Sequence, residues 1–178
     1  VKTAIKKNNS ESGFTLVEML TVLFIMAVIS GLVFANYRSG NQQFALENEA
    51  YRIAQDIRRV QEMAMSSKDV GGVSPESYGI YFEGSGLGYK IYAETSLPAN
   101  SHYDATDLTV EDVSLSKYIY ILSCTPDLLS VNYTPPDPVT TLTGDSGVVA
   151  QAVIVLAMEG TNLTRTIVVN RGGLVYVE

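Results

Sequence analysis

The chain has 178 residues, 46% of them apolar and 17% charged, with 19 acidic against 12 basic side chains and a net charge of −7. That is enough chain for one packed domain with an appendage, and the acidic balance weighs against unassisted binding to nucleic acid or anionic lipid. A single cysteine, Cys124, excludes an intramolecular disulfide and a cysteine-built zinc site, and a single histidine, His102, leaves little material for a zinc hydrolase or a histidine triad.

The first segment, "VKTAIKKNNSESG", carries Lys2, Lys6 and Lys7 against Glu11; without it the chain has 9 basic and 18 acidic residues, a charge of −9. Leu16–Ala35 then forms an apolar run of 20 residues, about 30 Å as a helix and so matched to a hydrocarbon core. Lysines on its N-terminal side predict a cytoplasmic N-terminus, with everything after Tyr37 outside. One carboxylate, Glu18, interrupts the run. A charge deep in a bilayer costs roughly 3 kcal/mol on insertion scales and marks a functional site by default. The plainer alternative is a side chain one turn into the helix that snorkels to the interface.

The pattern changes after Gly40. Leu46, Ala50, Ile53, Ile57, Val60 and Ala64 recur at alternating spacings of 4 and 3, one stripe on one helical face. The other face is charged, with Glu49–Arg52 and Asp56–Arg59 at i,i+3 and Arg52–Asp56 and Arg58–Glu62 at i,i+4. "KDVGG" predicts a stop near Ser67, with Lys68 and then two glycines as the terminating signal. A helix from Phe14 to Ser67 would be about 80 Å long, too long for the remaining residues to enclose, so half of it is expected to project.

All six prolines lie at or after Pro75, and there the pattern becomes that of strands. "YGIYFE", "YKIYAET" and "KYIYILS" are rich in Tyr and Ile, and Cys124 falls beside the last as a small core residue. "GVVAQAVIVLAM" predicts one long central strand, and "TRTIVVN" and "LVYVE" around "RGG" predict a terminal hairpin. "SLPANSHYDATD" and "VNYTPPDPVTTLTGDSG" read as polar loops. "GSGLG" at Gly84–Gly88 lacks the nucleotide-binding spacing and a following helix, so it reads as a hairpin turn. Asp104, Asp107, Glu111 and Asp112 fall close together but lack calcium-loop spacing, and read as a solvated loop rather than a calcium site. The glycosylation triplets at Asn132 and Asn162 carry no weight, being common by chance.

The combination of basic leader, Gly13, Phe14, Glu18 and the apolar run, with "GFTLVEML" at its centre, resembles the type IV pilin superfamily of pilins and pseudopilins. The resemblance implies a leader, residues 1–13, cut by a prepilin peptidase after Gly13, and N-methylation of the new N-terminus at Phe14. It also implies pairing of Glu18 with the Phe14 amine of a neighbouring subunit. Paired across subunits, two otherwise costly charges set the axial stagger of a filament. The implied organisation is a membrane and filament-core helix over 14–37, an amphipathic half over 38–67 and a β-rich domain over 68–178. The expected fold class is α+β, the long helix packed on antiparallel sheet in one or two layers. The implied role is structural, without enzymatic activity or cofactor. The partners are the prepilin peptidase/methyltransferase, sibling subunits contacted through 14–67 and membrane lipid. The location is the inner membrane and then a pilus or pseudopilus.

"ALENEAYRIAQDIRRVQEMAMSS", together with the closing "TIVVNRGGLVYVE", resembles the H-type minor pseudopilins of type II secretion and their pilus relatives. The proline that many members carry just before the membrane helix ends is missing near Ala35, so any unwinding is expected between Gly31 and Gly40. Some relatives bind DNA through a basic C-terminal strand; here that strand has only Arg171 and ends acidic, so no DNA affinity is expected at moderate salt. Two competing readings remain. Cleavage by ordinary signal peptidase after Val33–Ala35 would release a protein starting at Asn36. A membrane-anchored or secreted binding module would instead use loops 96–109 and 132–147 to hold a ligand.

Overall fold

A computed structural model describes residues 13–95, 100–135 and 139–178, and for 35–39 the backbone only. Lys2, Lys6, Lys7 and Glu11 of the expected leader therefore lie outside the described residues, as do the loop tips 96–99 and 136–138. The fold is α+β. Among the described residues one helix, α1 (Leu16–Met65), precedes ten strands that form two antiparallel sheets. The chain divides into two compact units, Val1–Asn41 and Gln42–Glu178.

In the first unit α1 is helical through Gly31 and Gly40, with no unwound turn between them. Its Leu16–Phe34 stretch is apolar, long enough to cross a membrane, and not buried at all by the chain itself.

In the second unit the predicted stripe is the helix's inward face: Leu46, Ala50, Ile53, Ile57, Val60 and Ala64 are at most 1% exposed. The i,i+3 pairs form, with Arg52 3.0 Å from Glu49 and Arg59 3.6 Å from Asp56. The i,i+4 partners are drawn elsewhere. Arg58 donates to the Val175 carbonyl at 3.0 Å, Arg59 also reaches Glu111, and Asp56 accepts from the Tyr89 hydroxyl at 2.5 Å. The Arg58–Val175 and Tyr89–Asp56 bonds stitch helix to sheet at part-buried sites, where a hydrogen bond is stronger than at the surface, whereas the Arg59–Glu111 pair is exposed.

Helix α1 ends at Met65 through a different device from the expected glycines. Ser67 takes the left-handed conformation (φ 45), its N–H bonds the Ala64 carbonyl at 3.0 Å, and Lys68 N–H bonds Met63 at 3.3 Å. This is the reciprocal bonding of a Schellman cap, with serine where glycine is usual. Gly71 and Gly72 serve a later turn, closed by the Val70–Val73 bridge.

Strands β1 (Ser77–Phe82), β2 (Gly88–Glu94), β3 (Leu108–Ser114), β5 (Leu129–Thr134), β6 (Val139–Gly144) and β7 (Gly147–Val149) form one sheet in the order β3-β2-β1-β5-β6-β7. Strands β4 (Ile119–Thr125), β8 (Gln151–Met158), β9 (Thr164–Asn170) and β10 (Val175–Val177) form the other, in the order β10-β9-β8-β4. The Gly84–Gly88 turn joins β1 to β2, and β9 pairs with β10 as the terminal hairpin, both as expected.

Three expectations are corrected. "GVVAQAVIVLAM" is not one strand: it breaks at Ala150, β7 ending the first sheet and β8 starting inside the second. Much of 132–147 is β5 and β6 rather than loop. Glu111 and Asp112 belong to edge strand β3, separate from the turn that holds Asp104 and Asp107.

Helix and both sheets share one core, in which Tyr78, Phe82, Ile80, Ile91, Ile121, Leu129 and Leu142 are fully buried. Truncating Ile57→Ala, itself fully buried, is expected to cost about 2–5 kcal/mol from lost burial plus a cavity. Tyr51→Ala, at a half-exposed position, should change stability by less than about 0.5 kcal/mol. Denaturant midpoints of the two variants test this, and equal losses would contradict the packing.

Candidate processing and assembly site

Gly13, Phe14 and Thr15 precede the first turn of α1 in non-helical conformation, and all three are exposed. Gly13 is not in the left-handed region, and a Cβ added there would meet nothing within 4 Å. Nothing in the fold requires glycine at this position.

Thr15 is the N-cap. Its Oγ1 accepts the Glu18 backbone N–H at 3.2 Å, and the Thr21 hydroxyl donates to the Glu18 carbonyl at 2.8 Å. Thr15-Leu-Val-Glu18 has the spacing of a capping box, a signal present in the sequence that the reading of Glu18 as a lone charge passed over. The exposed Glu18 also sits in the first turn, where the helix dipole presents positive charge and favours a carboxylate by about 0.3–1 kcal/mol. The segment thus brings together an exposed, unconstrained glycine, an aromatic residue, a capped helix start and one acid in an otherwise apolar first turn.

The other polar centre lies on the outer face of the six-stranded sheet, under residues 100–107. Glu94 is fully buried and accepts from Ser77 Oγ at 2.9 Å, from Ser101 N–H at 3.3 Å and from the Asn100 N–H. Leu108 pairs with Ala93, so Asp107 falls opposite Glu94. Burial, with Asp104 and Glu94 nearby, holds the Asp107 carboxyl above the usual carboxylate range. Asp104 accepts from Asn100 Nδ2 at 2.8 Å and from Thr106, which holds its carboxyl below that range.

His102 Nδ1 lies 3.2 Å from Ser130 Oγ, which also accepts the Tyr103 N–H at 3.1 Å. Ser130 is fully buried, so this pair fastens the segment to the sheet rather than presenting a nucleophile. Tyr92 lies over Gly79, where a Cβ would come within 2.4 Å of its ring and 2.3 Å of Asn132 Oδ1. Asn132 is fully buried, which removes its glycosylation triplet from consideration. Among the described residues no three His, Cys, Asp or Glu side chains gather as a metal site. Cys124 is buried on β4, and burial pushes its thiol up to about 12, so it stays protonated and unreactive at neutral pH.

Residues 8–34 match the family model described as the prokaryotic N-terminal methylation motif. The match supports a type IV pilin-like family and indicates a pilin-like precursor, a pilus or pseudopilus subunit. It implies prepilin peptidase processing and assembly with other pilin subunits. With the one apolar, membrane-length helix among the described residues it is consistent with membrane anchoring. No curated protein and no solved structure matches the chain.

Proposed function

We propose that this chain is a minor pilin or pseudopilin. In this reading it is stored in the inner membrane through residues 14–37 and then drawn into a type IV pilus, type II secretion or competence filament. Its N-terminus is cytoplasmic and its β-rich domain extracytoplasmic. Gly13 precedes the cut, Phe14 becomes the methylated N-terminus, and Glu18 pairs with the Phe14 amine of the adjoining subunit. The carrying observation is the coincidence, in one short segment, of the methylation-motif match with an apolar span that the chain itself does not bury.

Physical chemistry supports the charge assignment. A new amine at Phe14 would stand beside the positive end of α1, where a cation is disfavoured, and Glu18 supplies the nearest compensating charge. Membrane lipid surrounds the apolar span before assembly, and sibling subunits replace it afterwards. The H-type branch is supported by a helix and two antiparallel sheets sharing one core and by the closing β9–β10 hairpin.

The mass of the mature N-terminus tests the reading. Methylated Phe14 is the expected product. A chain starting at Asn36, or one keeping Lys2, Lys6 and Lys7, would overturn it.

A further inference from the structure

Helix α1 begins just after the Gly13–Phe14 bond. Its first backbone bond runs from the Met19 N–H to the Thr15 carbonyl at 3.2 Å, so Phe14 and Gly13 stay outside it. Carrying the helix back over them would need the next two bonds of the same ladder. One is Glu18 N–H to the Phe14 carbonyl; the other is Val17 N–H to the Gly13 carbonyl. The second would engage the very carbonyl that hydrolysis of Gly13–Phe14 must attack. The first is blocked, because its donor is taken: the Glu18 N–H bonds Thr15 Oγ1 at 3.2 Å.

Packing does not hold this segment open. Gly13, Phe14 and Thr15 are all exposed, Phe14 by 73%. Nor does a special backbone conformation, since Gly13 is not in the left-handed region. Cleavage of a bond that exchanges between closed and open forms follows the population of the open form. A bond inside a helix is closed in this sense, because its carbonyl is already hydrogen-bonded and its backbone cannot extend along a cleft.

We infer that Thr15 is a positioning residue for the leader cut: its hydroxyl oxygen holds the Glu18 N–H, and so keeps the Gly13 carbonyl outside the helix and open to attack. This rests on the prepilin-type cut proposed above, which the motif match over residues 8–34 supports. In that step water adds at the Gly13 carbonyl carbon and the C–N bond to Phe14 breaks. The leader departs with a carboxylate and Phe14 keeps the amine. Thr15 exchanges no proton with the reacting atoms; it sets the fraction of chains in which the bond can be reached. Loss of the cap lowers that fraction, which raises KM and leaves kcat unchanged.

The test cuts the full leader-bearing chain, held in lipid nanodiscs, with a purified prepilin peptidase. Thr15→Ser and Thr15→Asn keep a capping oxygen on side chains of different shape. Thr15→Val keeps the shape of threonine without the oxygen, and Thr15→Ala loses both. The capped pair is expected to be cut within about twofold of the wild type, and the uncapped pair to show KM raised about fivefold at unchanged kcat. The Cα chemical shifts of Gly13 and Phe14 should move toward helical values in the uncapped pair alone. A wild-type chain left uncut after Gly13 overturns the proposed function, and this inference with it. If the wild type is cut, an equal KM in all variants overturns the inference alone. So does Thr15→Val matching the wild type while Thr15→Asn is cut slowly, since the enzyme would then be reading side-chain shape. A fall in kcat, or slow cutting of Thr15→Val without helical shifts, would place Thr15 among the enzyme's own contacts and overturn it equally.

Discussion

Gly13→Val is expected to leave nearly all of the chain uncut, with the cleavage rate down about a hundredfold or more, in the range that steric rejection by a snug enzyme pocket produces. The variant itself should fold unchanged. Gly13 is exposed, has no left-handed φ, and a Cβ there meets nothing within 4 Å. Any effect must therefore arise in a second molecule that reads the backbone closely at this point. Gly31→Ala and Gly40→Ala are matched controls, because a Cβ at either also meets nothing within 4 Å; both should be processed normally. Immunoblots resolving the leader-bearing and mature forms give the answer. Normal maturation of Gly13→Val would remove the prepilin-type cut after this residue.

Glu18→Ala should give the opposite separation: a chain still cut after Gly13 but failing to enter filaments, with methylation reduced. Removing one member of a buried ion pair leaves the other uncompensated, at about 3–5 kcal/mol. That corresponds to at least about a hundredfold loss of assembly. Because Glu18 also lies in the first turn of α1 and donates its N–H to Thr15, the charge must be separated from the cap. Thr15→Ala removes the cap bond, worth about 1 kcal/mol, and keeps the carboxylate. It should weaken the first turn yet still assemble. Glu18→Gln keeps the helix former and loses the charge, and should fail like Glu18→Ala. The pelleted filament fraction, measured beside the N-terminal mass of the same sample, distinguishes the outcomes. Normal filaments from Glu18→Gln would refute the register role.

How much of this was legible beforehand follows from the range of each signal. The inward stripe from Leu46 to Ala64 was readable in full, since a period near 3.6 with one apolar face has one low-energy placement. Strands β1, β2, β4 and β9 announced themselves by Tyr, Ile and Val between turn residues. Strand β3 did not. Its "LTVEDVS" carries two adjacent acids, and Glu111 is compensated by Arg59 on a helix 52 residues earlier, a partner no local window contains. Strands β5 and β6 hid behind Asn132 and a run of threonines, although threonine's β-branching was a usable hint. Ser130 on β5 is buried beneath residues 100–107, as the Tyr103–Ser130 bond records.

The N-terminal segment was readable for the opposite reason. Its features are consecutive, and its meaning does not depend on what the rest of the chain packs against. Composition and spacing alone determined an apolar span with one acid near its start, an amphipathic continuation and a strand-rich remainder. Only the tertiary structure decided that "GVVAQAVIVLAM" divides between two sheets at Ala150. It likewise decided that Glu49 is buried against Ser116. The physical reason is that strand periodicity specifies which face of a strand is apolar but not which sheet receives it. Sheet membership and buried charge are fixed by partners distant in sequence, whose bonds exist only once the chain has closed on itself.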